Sequence, residues 1–292
     1  MNFSAITLLF TLLFSGSFSG CNKSRSGGAD EKVLTELDMK NVSYGKDPVQ
    51  KMDIYLPENR NIDSTKIILF IHGGSWSGGD KSEFNDAITA LRKELPNFAM
   101  FNINYRLVRY GGVNRFPAQI EDIQSALSFI ENQAGAFKIS PEKIVLVGAS
   151  AGAHLALLQS YKYNTDSKIK AVVDLFGPAD LKDLFNNHPI PAASQPVLVG
   201  LLGATPVTNA AIYNEASPIN YVTGTTVPTK IFHGGGDFVV PVQQSLALKA
   251  KLEANHVKVD MTTYSHEGHG WYGANLIDTY AKTIKFIKEN VY

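Results

Sequence analysis

A serine framed by glycines is the first feature able to do chemistry: Gly148-Ala149-Ser150-Ala151-Gly152 has the spacing G-x-S-x-G. Apolar residues 144–147 precede it, and an apolar stretch of helical length follows. In that setting the chain turns sharply from strand into helix and lifts the serine side chain above the sheet. Bulky side chains two positions to either side would strike neighbouring backbone, so glycine suits both places. The turn also leaves the Ala151 N–H at a helix N-terminus, facing any negative charge that develops there. Such a serine serves nucleophilic attack on an acyl carbon. Without partners it is only an inert hydroxyl on a glycine-bounded turn.

The partners required are a base and a carboxylate that orients it. On a sheet whose loops supply these groups in turn, acid and then base follow the serine along the chain. Three aspartates compete for the first role. Asp174 falls inside an expected strand and Asp180 lacks a glycine turn, whereas Asp237 ends the run His233-Gly234-Gly235-Gly236-Asp237, directly after a strand. Two histidines compete for the second, His266 and His269, in Ser265-His266-Glu267-Gly268-His269-Gly270-Trp271. A metal site of His266, Glu267 and His269 is disfavoured, because this glycine-bearing loop has no helix to align ligands as H-E-x-x-H does. His154, in the helix after the serine, is turned away from it and is expected to pack. His72 and His233 are expected to shape loops through hydrogen bonds. The remaining need is an oxyanion hole, and His72-Gly73-Gly74-Ser75-Trp76 offers it after another strand. Glycines there let the Gly74 and Ser75 N–H groups approach a substrate oxygen, with Ala151 completing the set.

These groups must be carried by a scaffold, and the chain alternates between two periodicities that supply one. Strands are expected at 52–56, 67–71, 100–104, 144–147, 171–176, 229–232 and 258–264. Helices are expected at 118–133, where Ile120, Ile123, Leu127 and Ile130 share a face, and at 151–161, 242–254 and 274–288. Strands interleaved with helices predict an α/β architecture, a mainly parallel central sheet with helices on both faces. The two N-terminal strands, joined by a short connection, are expected to form an antiparallel edge. Between 176 and 229 lie about 50 residues, too many for an ordinary loop, and the part at 181–211 is expected to be a small helical cap.

Bulk properties exclude other classes. The 292 residues suit one large α/β domain, and 44% hydrophobic content suits a buried core. Lys+Arg and Asp+Glu both number 27, so no excess of positive charge invites nucleic acid or an anionic membrane. The one cysteine, Cys21, excludes an intramolecular disulfide. It follows an apolar run at 3–14, shorter than the ~20 residues that span a bilayer, and a small-residue stretch. Together these read as a signal peptide over 1–20. The polar, Gly/Ser-rich stretch that follows reads as a tether within 21–35, leaving 36–292 as the folded domain.

Several segments resemble known families. Phe18-Ser19-Gly20-Cys21 resembles the lipobox at which a bacterial lipoprotein is cleaved and its cysteine acylated. That implies export and lipid anchoring to a bacterial membrane through Cys21, on the periplasmic or cell-surface side. Farther on, His72 to Trp76 resembles the HGG-type loop of lipases and esterases. His233 to Pro241 resembles the H-G-x-x-D-x-x-V-P segment of many α/β-hydrolases, and the Gly-His-Gly setting of His269 resembles their catalytic histidine. With Asn104-Tyr105-Arg106-Leu107, Phe116-Pro117-Ala118 and Asp122 in order between them, the chain from about 40 to 290 is similar to esterases related to hormone-sensitive lipase. Asp53-Ile54-Tyr55-Leu56-Pro57 and the His-Gly-Gly-Ser-Trp loop most resemble the branch of bacterial feruloyl and acetylxylan esterases. Many relatives have a third glycine where Ser75 stands.

The resemblance implies an α/β-hydrolase with Ser150 as nucleophile, His269 as base, Asp237 as its orienting acid, and Gly74, Ser75 and Ala151 as oxyanion donors. It makes Tyr105 and Arg106 supports of the oxyanion loop. The implied reaction is hydrolysis of short-chain or carbohydrate-linked acetyl or feruloyl esters through an acyl-enzyme, with no metal or organic cofactor. The expected partner is a small-molecule or carbohydrate ester, with no nucleic acid, and membrane contact only through the anchor. A serine amidohydrolase or exopeptidase, similar to arylformamidases or prolyl oligopeptidase relatives, is the competing activity, though the chain has no room for a β-propeller. A silent binding protein on the same fold is a third reading.

Overall fold

The computed structural model describes residues 34–291; Cys21, the leader and the tether before residue 34 lie outside the described residues. Eight strands form one sheet: β1 (Leu37–Ser43), β2 (Lys51–Leu56), β3 (Lys66–Ile71), β4 (Phe98–Ile103), β5 (Ile144–Ala149), β6 (Ile169–Leu175), β7 (Thr229–Gly234) and β8 (Val259–Tyr264), in the order β1-β2-β4-β3-β5-β6-β7-β8. From β4 onward every neighbouring pair is parallel. The antiparallel edge exists, but β2 pairs with β1 on one side and β4 on the other. It does not pair with β3, which lies inside the parallel sheet between β4 and β5. The composition of the strands explains the difference. β3 is Lys-Ile-Ile-Leu-Phe-Ile and wholly buried, whereas β1 is Leu-Asp-Met-Lys-Asn-Val-Ser, largely exposed and without a regular apolar alternation.

Strand side chains alternate between two cores. Ile67, Leu69 and Ile71 of β3 enter one core, and Ile68 and Phe70 the other. The first lies beneath α2 (Ala118–Phe137), α3 (Ala151–Lys162) and α7 (Gln243–Ala254), through residues such as Ile123, Leu155 and Leu248. The second lies beneath α1 (Asn85–Glu94) and α8 (Gly273–Val291), through Ile88, Leu91, Phe286 and Ile287. Each fully buried aliphatic or aromatic side chain there contributes about 1.5–3 kcal/mol. Helix α1 is an addition to the sequence reading. Its local signal is a capping box, Asp80 accepting from the Ser82 N–H and Glu83 reaching back to the Asp80 N–H, which starts a 3-10 turn leading into the helix.

The segment between β6 and β7 folds into α4 (Leu181–Asn187), α5 (Pro191–Leu202) and α6 (Ala210–Ala216), so its helices extend five residues past 211. Phe185 meets Tyr213 edge to face at 5.6 Å between ring centres, joining α4 to α6.

Register determines where chemistry can gather. Ile71 of β3 stands beside Gly148 of β5, and Ala149 beside Leu175 of β6. The turns after β3 and β5 therefore emerge side by side at the carboxyl edge, where open α/β sheets place their sites.

Candidate active site

Ser150 sits between β5 and α3 with φ 52° and ψ −117°, a conformation sparsely populated by residues with a side chain. The flanking glycines make it attainable. A Cβ on Gly148 would lie 2.3 Å from the Gly152 carbonyl oxygen, and one on Gly152 would lie 2.0 Å from that of Ile71. The turn is pinned by the Ser150 N–H donating to Leu175 O at 2.8 Å.

His269, after β8, places Nε2 2.8 Å from Ser150 Oγ and Nδ1 2.7 Å from Asp237 Oδ2. An ionised carboxylate only accepts, so Nδ1 carries the proton and Nε2 is left to take the one from the serine. Asp237 follows β7 through the glycine run. Its Oδ1 accepts from the Val239 and Val240 N–H groups at 2.8 and 2.9 Å, and His233 Nε2 lies 3.3 Å from Oδ2. Burial pushes this carboxyl up, but hydrogen bonds from His233, His269 and the backbone outweigh it and hold the group well below the usual carboxylate range. A fixed negative charge beside His269 is placed to stabilise an imidazolium, should that ring take a proton.

The β3–α1 loop supplies the opposite wall. Gly74, Ser75 and Trp76 have φ of 99°, 52° and 57°. Among the described residues the Gly74 and Ser75 N–H groups donate to no backbone carbonyl. Ala151 opens α3 and adds a helix-terminal N–H. A Cβ on Gly73 would stand 3.3 Å from that of Ser150, so the loop lies against the serine turn. Tyr105 Oη donates to His72 O at 2.9 Å and approaches Gly73 O at 3.2 Å, and its ring stacks on His72 at 4.3 Å. The His72 ring is itself bonded to Gly73 O at 2.8 Å. Arg106 does something else: its guanidinium and backbone N–H both grip Asp122 of α2.

The competing candidates are accounted for elsewhere. Asp180 caps α4 through the Asp183 N–H. Asp174 is buried in β6 and bonded to the Gly177 N–H at 2.7 Å. His266 is exposed, and Glu267 accepts from Asn275 at 2.7 Å. No group of three metal-ligating side chains is poised around an ion among the described residues. Two contacts escaped the sequence reading. The Phe176 ring meets His269 edge to face at 4.7 Å, and the Trp76 indole N–H donates to His154 at 3.2 Å. An aromatic residue right after β6 was the visible sign of the first. The second joins positions 78 residues apart and has no local signature.

Comparison with known proteins gives concordant relatives. A family profile described as BD-FAE matches residues 52–252. Esterase LipC of Mycobacterium tuberculosis is 26% identical over 243 residues, covering 79% of this chain and 59% of the relative. The probable carboxylic ester hydrolase LipM of the same organism is 28% identical over 218 residues, covering 70% of this chain and 49% of the relative. The chain thus spans about half the length of these curated relatives. Among solved structures, the bifunctional GH43-CE protein of Bacteroides eggerthii superposes with a TM-score of 0.75 at 26% identity, covering 86% of this chain and 38% of that one.

Proposed function

The chain belongs to the BD-FAE family, and from that premise we propose that it is a serine carboxylic-ester hydrolase working through an acyl-enzyme. One observation carries the reading: Ser150, His269 and Asp237 stand in hydrogen-bonded series at 2.8 and 2.7 Å, beside N–H groups of Gly74 and Ser75 that donate to no backbone carbonyl among the described residues. His269 takes the serine proton as Oγ attacks the ester carbonyl, and Asp237 holds the imidazolium. The N–H groups of Gly74, Ser75 and Ala151 take the oxyanion. His269 then protonates the departing alcohol, and water repeats the sequence on the acyl-enzyme.

The substrates we propose are short-chain or carbohydrate-linked acetyl or feruloyl esters. The names of LipC and LipM support ester hydrolysis in general. Phe238, beside Asp237, and Tyr272, three residues after His269, are 71% and 88% exposed. They give a sugar or phenolic group ring surface to pack on. The apolar run at 3–14 and Cys21 support export with a lipid anchor.

The test is turnover of short-chain p-nitrophenyl esters by wild type and Ser150→Ala. A loss of about 10⁴-fold or more in the variant supports the reading. Absence of turnover by wild type, with turnover of anilides, replaces it with an amidohydrolase.

A further inference from the structure

We infer that His154 is a positioning residue for the oxyanion hole: bridging Trp76 to the base of the cap, it keeps the Gly74 and Ser75 N–H groups aimed at the acyl oxygen. This rests on the serine-esterase reading above.

His154 is wholly buried in α3, and both ring nitrogens are committed. The Trp76 indole N–H donates to Nδ1 at 3.2 Å, and Nε2 lies 2.7 Å from the Ala216 carbonyl oxygen. An indole nitrogen only donates and a carbonyl only accepts, so the ring is the neutral Nε2–H tautomer. A second proton would set N–H against N–H. Burial supports the neutral form, lowering the ring's pKa to about 4. The two rings meet edge to face at 5.1 Å between centres.

Trp76 needs such a hold because its loop is strained. Ser75 and Trp76 are successive non-glycine residues at φ 52° and 57°, a left-handed conformation that a Cβ disfavours. Relaxation at Ser75 would rotate the peptide plane that carries its N–H, and relaxation at Trp76 would loosen the turn that holds Ser75 in place. Gly74 O, in the peptide plane that carries the Ser75 N–H, accepts from Ser77 and Gly78, and the Val108 N–H fixes Trp76 O at 2.8 Å. These bonds hold the backbone on either side of Ser75 but leave the Trp76 side chain to its packing and to His154. The other end of the bridge is equally tied. Ala216 ends α6, and Ser217 Oγ accepts from the Leu181 N–H of α4 at 2.9 Å and donates to Tyr213 O at 2.7 Å. The His154 N–H also donates to Ser150 O at 3.0 Å. One residue therefore joins the nucleophile turn, the oxyanion loop and the cap.

The test compares His154→Phe, which keeps a ring but neither hydrogen bond, with His154→Gln, whose amide can accept from Trp76 and donate to Ala216. Trp76→Phe and the double variant complete a cycle. The readouts are kcat and KM on p-nitrophenyl butyrate, the Ki of a trifluoromethyl ketone that mimics the tetrahedral adduct, and Tm. His154→Phe is expected to lower kcat about 10–100-fold and weaken ketone binding in proportion, with KM within about 2-fold. His154→Gln should recover most of kcat, and the double variant should be little worse than either single one. Should His154→Phe fail to fold, Trp76→Phe against His154→Gln reads the same bond. A lowered Tm with kcat and ketone affinity intact would overturn the role, as would a glutamine variant no better than phenylalanine. Wild type lacking Ser150-dependent turnover would overturn the esterase reading and this role together, whereas turnover unaffected by His154→Phe would overturn the role alone.

Discussion

The two walls around Ser150 are built on different principles. On the β7–β8 side, function resides in side-chain identity: the Asp237 carboxylate receives the Val239 and Val240 N–H groups and holds His269 at 2.7 Å. On the β3 side, the proposed donors are backbone N–H groups in a loop with positive φ at Gly74, Ser75 and Trp76. Nothing at those donors is titratable. Their direction is maintained from outside by Tyr105, His72, Trp76 and His154. An arrangement resting on one charge fails when that charge is removed. An arrangement distributed over several supports weakens in steps.

The contrast predicts a graded series. Asp237→Asn should cost the most, about 10⁴-fold in kcat, because an amide stabilises no imidazolium and invites the wrong tautomer. Turnover of a p-nitrophenyl ester measures it, and a loss below about tenfold would break the asymmetry between the walls. Gly74→Ala comes next. The new Cβ would lie 2.3 Å from Gly78 O at a φ of 99°, so the loop must shift. Loss of one well-aimed donor corresponds to about 10²–10³-fold in kcat. Tyr105→Phe should be milder, about 5–10-fold, since it removes one hydroxyl from the loop and leaves the stacked ring in place. Both are read as kcat with KM nearly constant. A Tyr105→Phe loss as large as that of Gly74→Ala would mean the loop hangs from a single support.

This division also governs what could be read from the sequence. Gly148, Gly152 and Gly234, which opens the glycine run before Asp237, announce themselves because steric exclusion leaves no other residue possible where a Cβ would fall 2.0–2.3 Å from a carbonyl oxygen. The buried strands β3 and β5 announce themselves as unbroken apolar runs. Long-range contacts have no such local trace. The bond between Trp76 and His154 depends on how α3 lies across β3, and Arg106 on Asp122 depends on where α2 begins. Strand β1 escaped notice because its exposed, polar sequence gains its order from pairing with β2 rather than from burial. The neighbours of β2 likewise follow from sheet order, which sequence proximity does not reveal.

The smallest expected effect concerns a second aspartate at the same edge and reverses the behaviour of the first. Asp174 is wholly buried; one carboxyl oxygen accepts from Gly177 N–H at 2.7 Å, and the other has no hydrogen-bond partner among the described residues. Burial pushes it up from 3.8 to about 7, with Gly177 and nearby His233 offsetting only part. A carboxyl whose folded pKa is raised lends stability that is complete below its unfolded value and lost as pH rises through the folded one. Asp237, held low, lends stability that is present above its unfolded value and lost as pH falls through its depressed folded pKa. Asp174→Asn keeps the shape and removes the titration. It should therefore raise Tm by about 2–4 °C at about pH 8 and by clearly less at about pH 5, nearer the unfolded value. An equal shift at both pH values would show that packing, rather than the charge of Asp174, separates the two proteins. A gain confined to acid would mean the carboxyl is stabilised in its ionised form, as Asp237 is, by a donor facing its second oxygen.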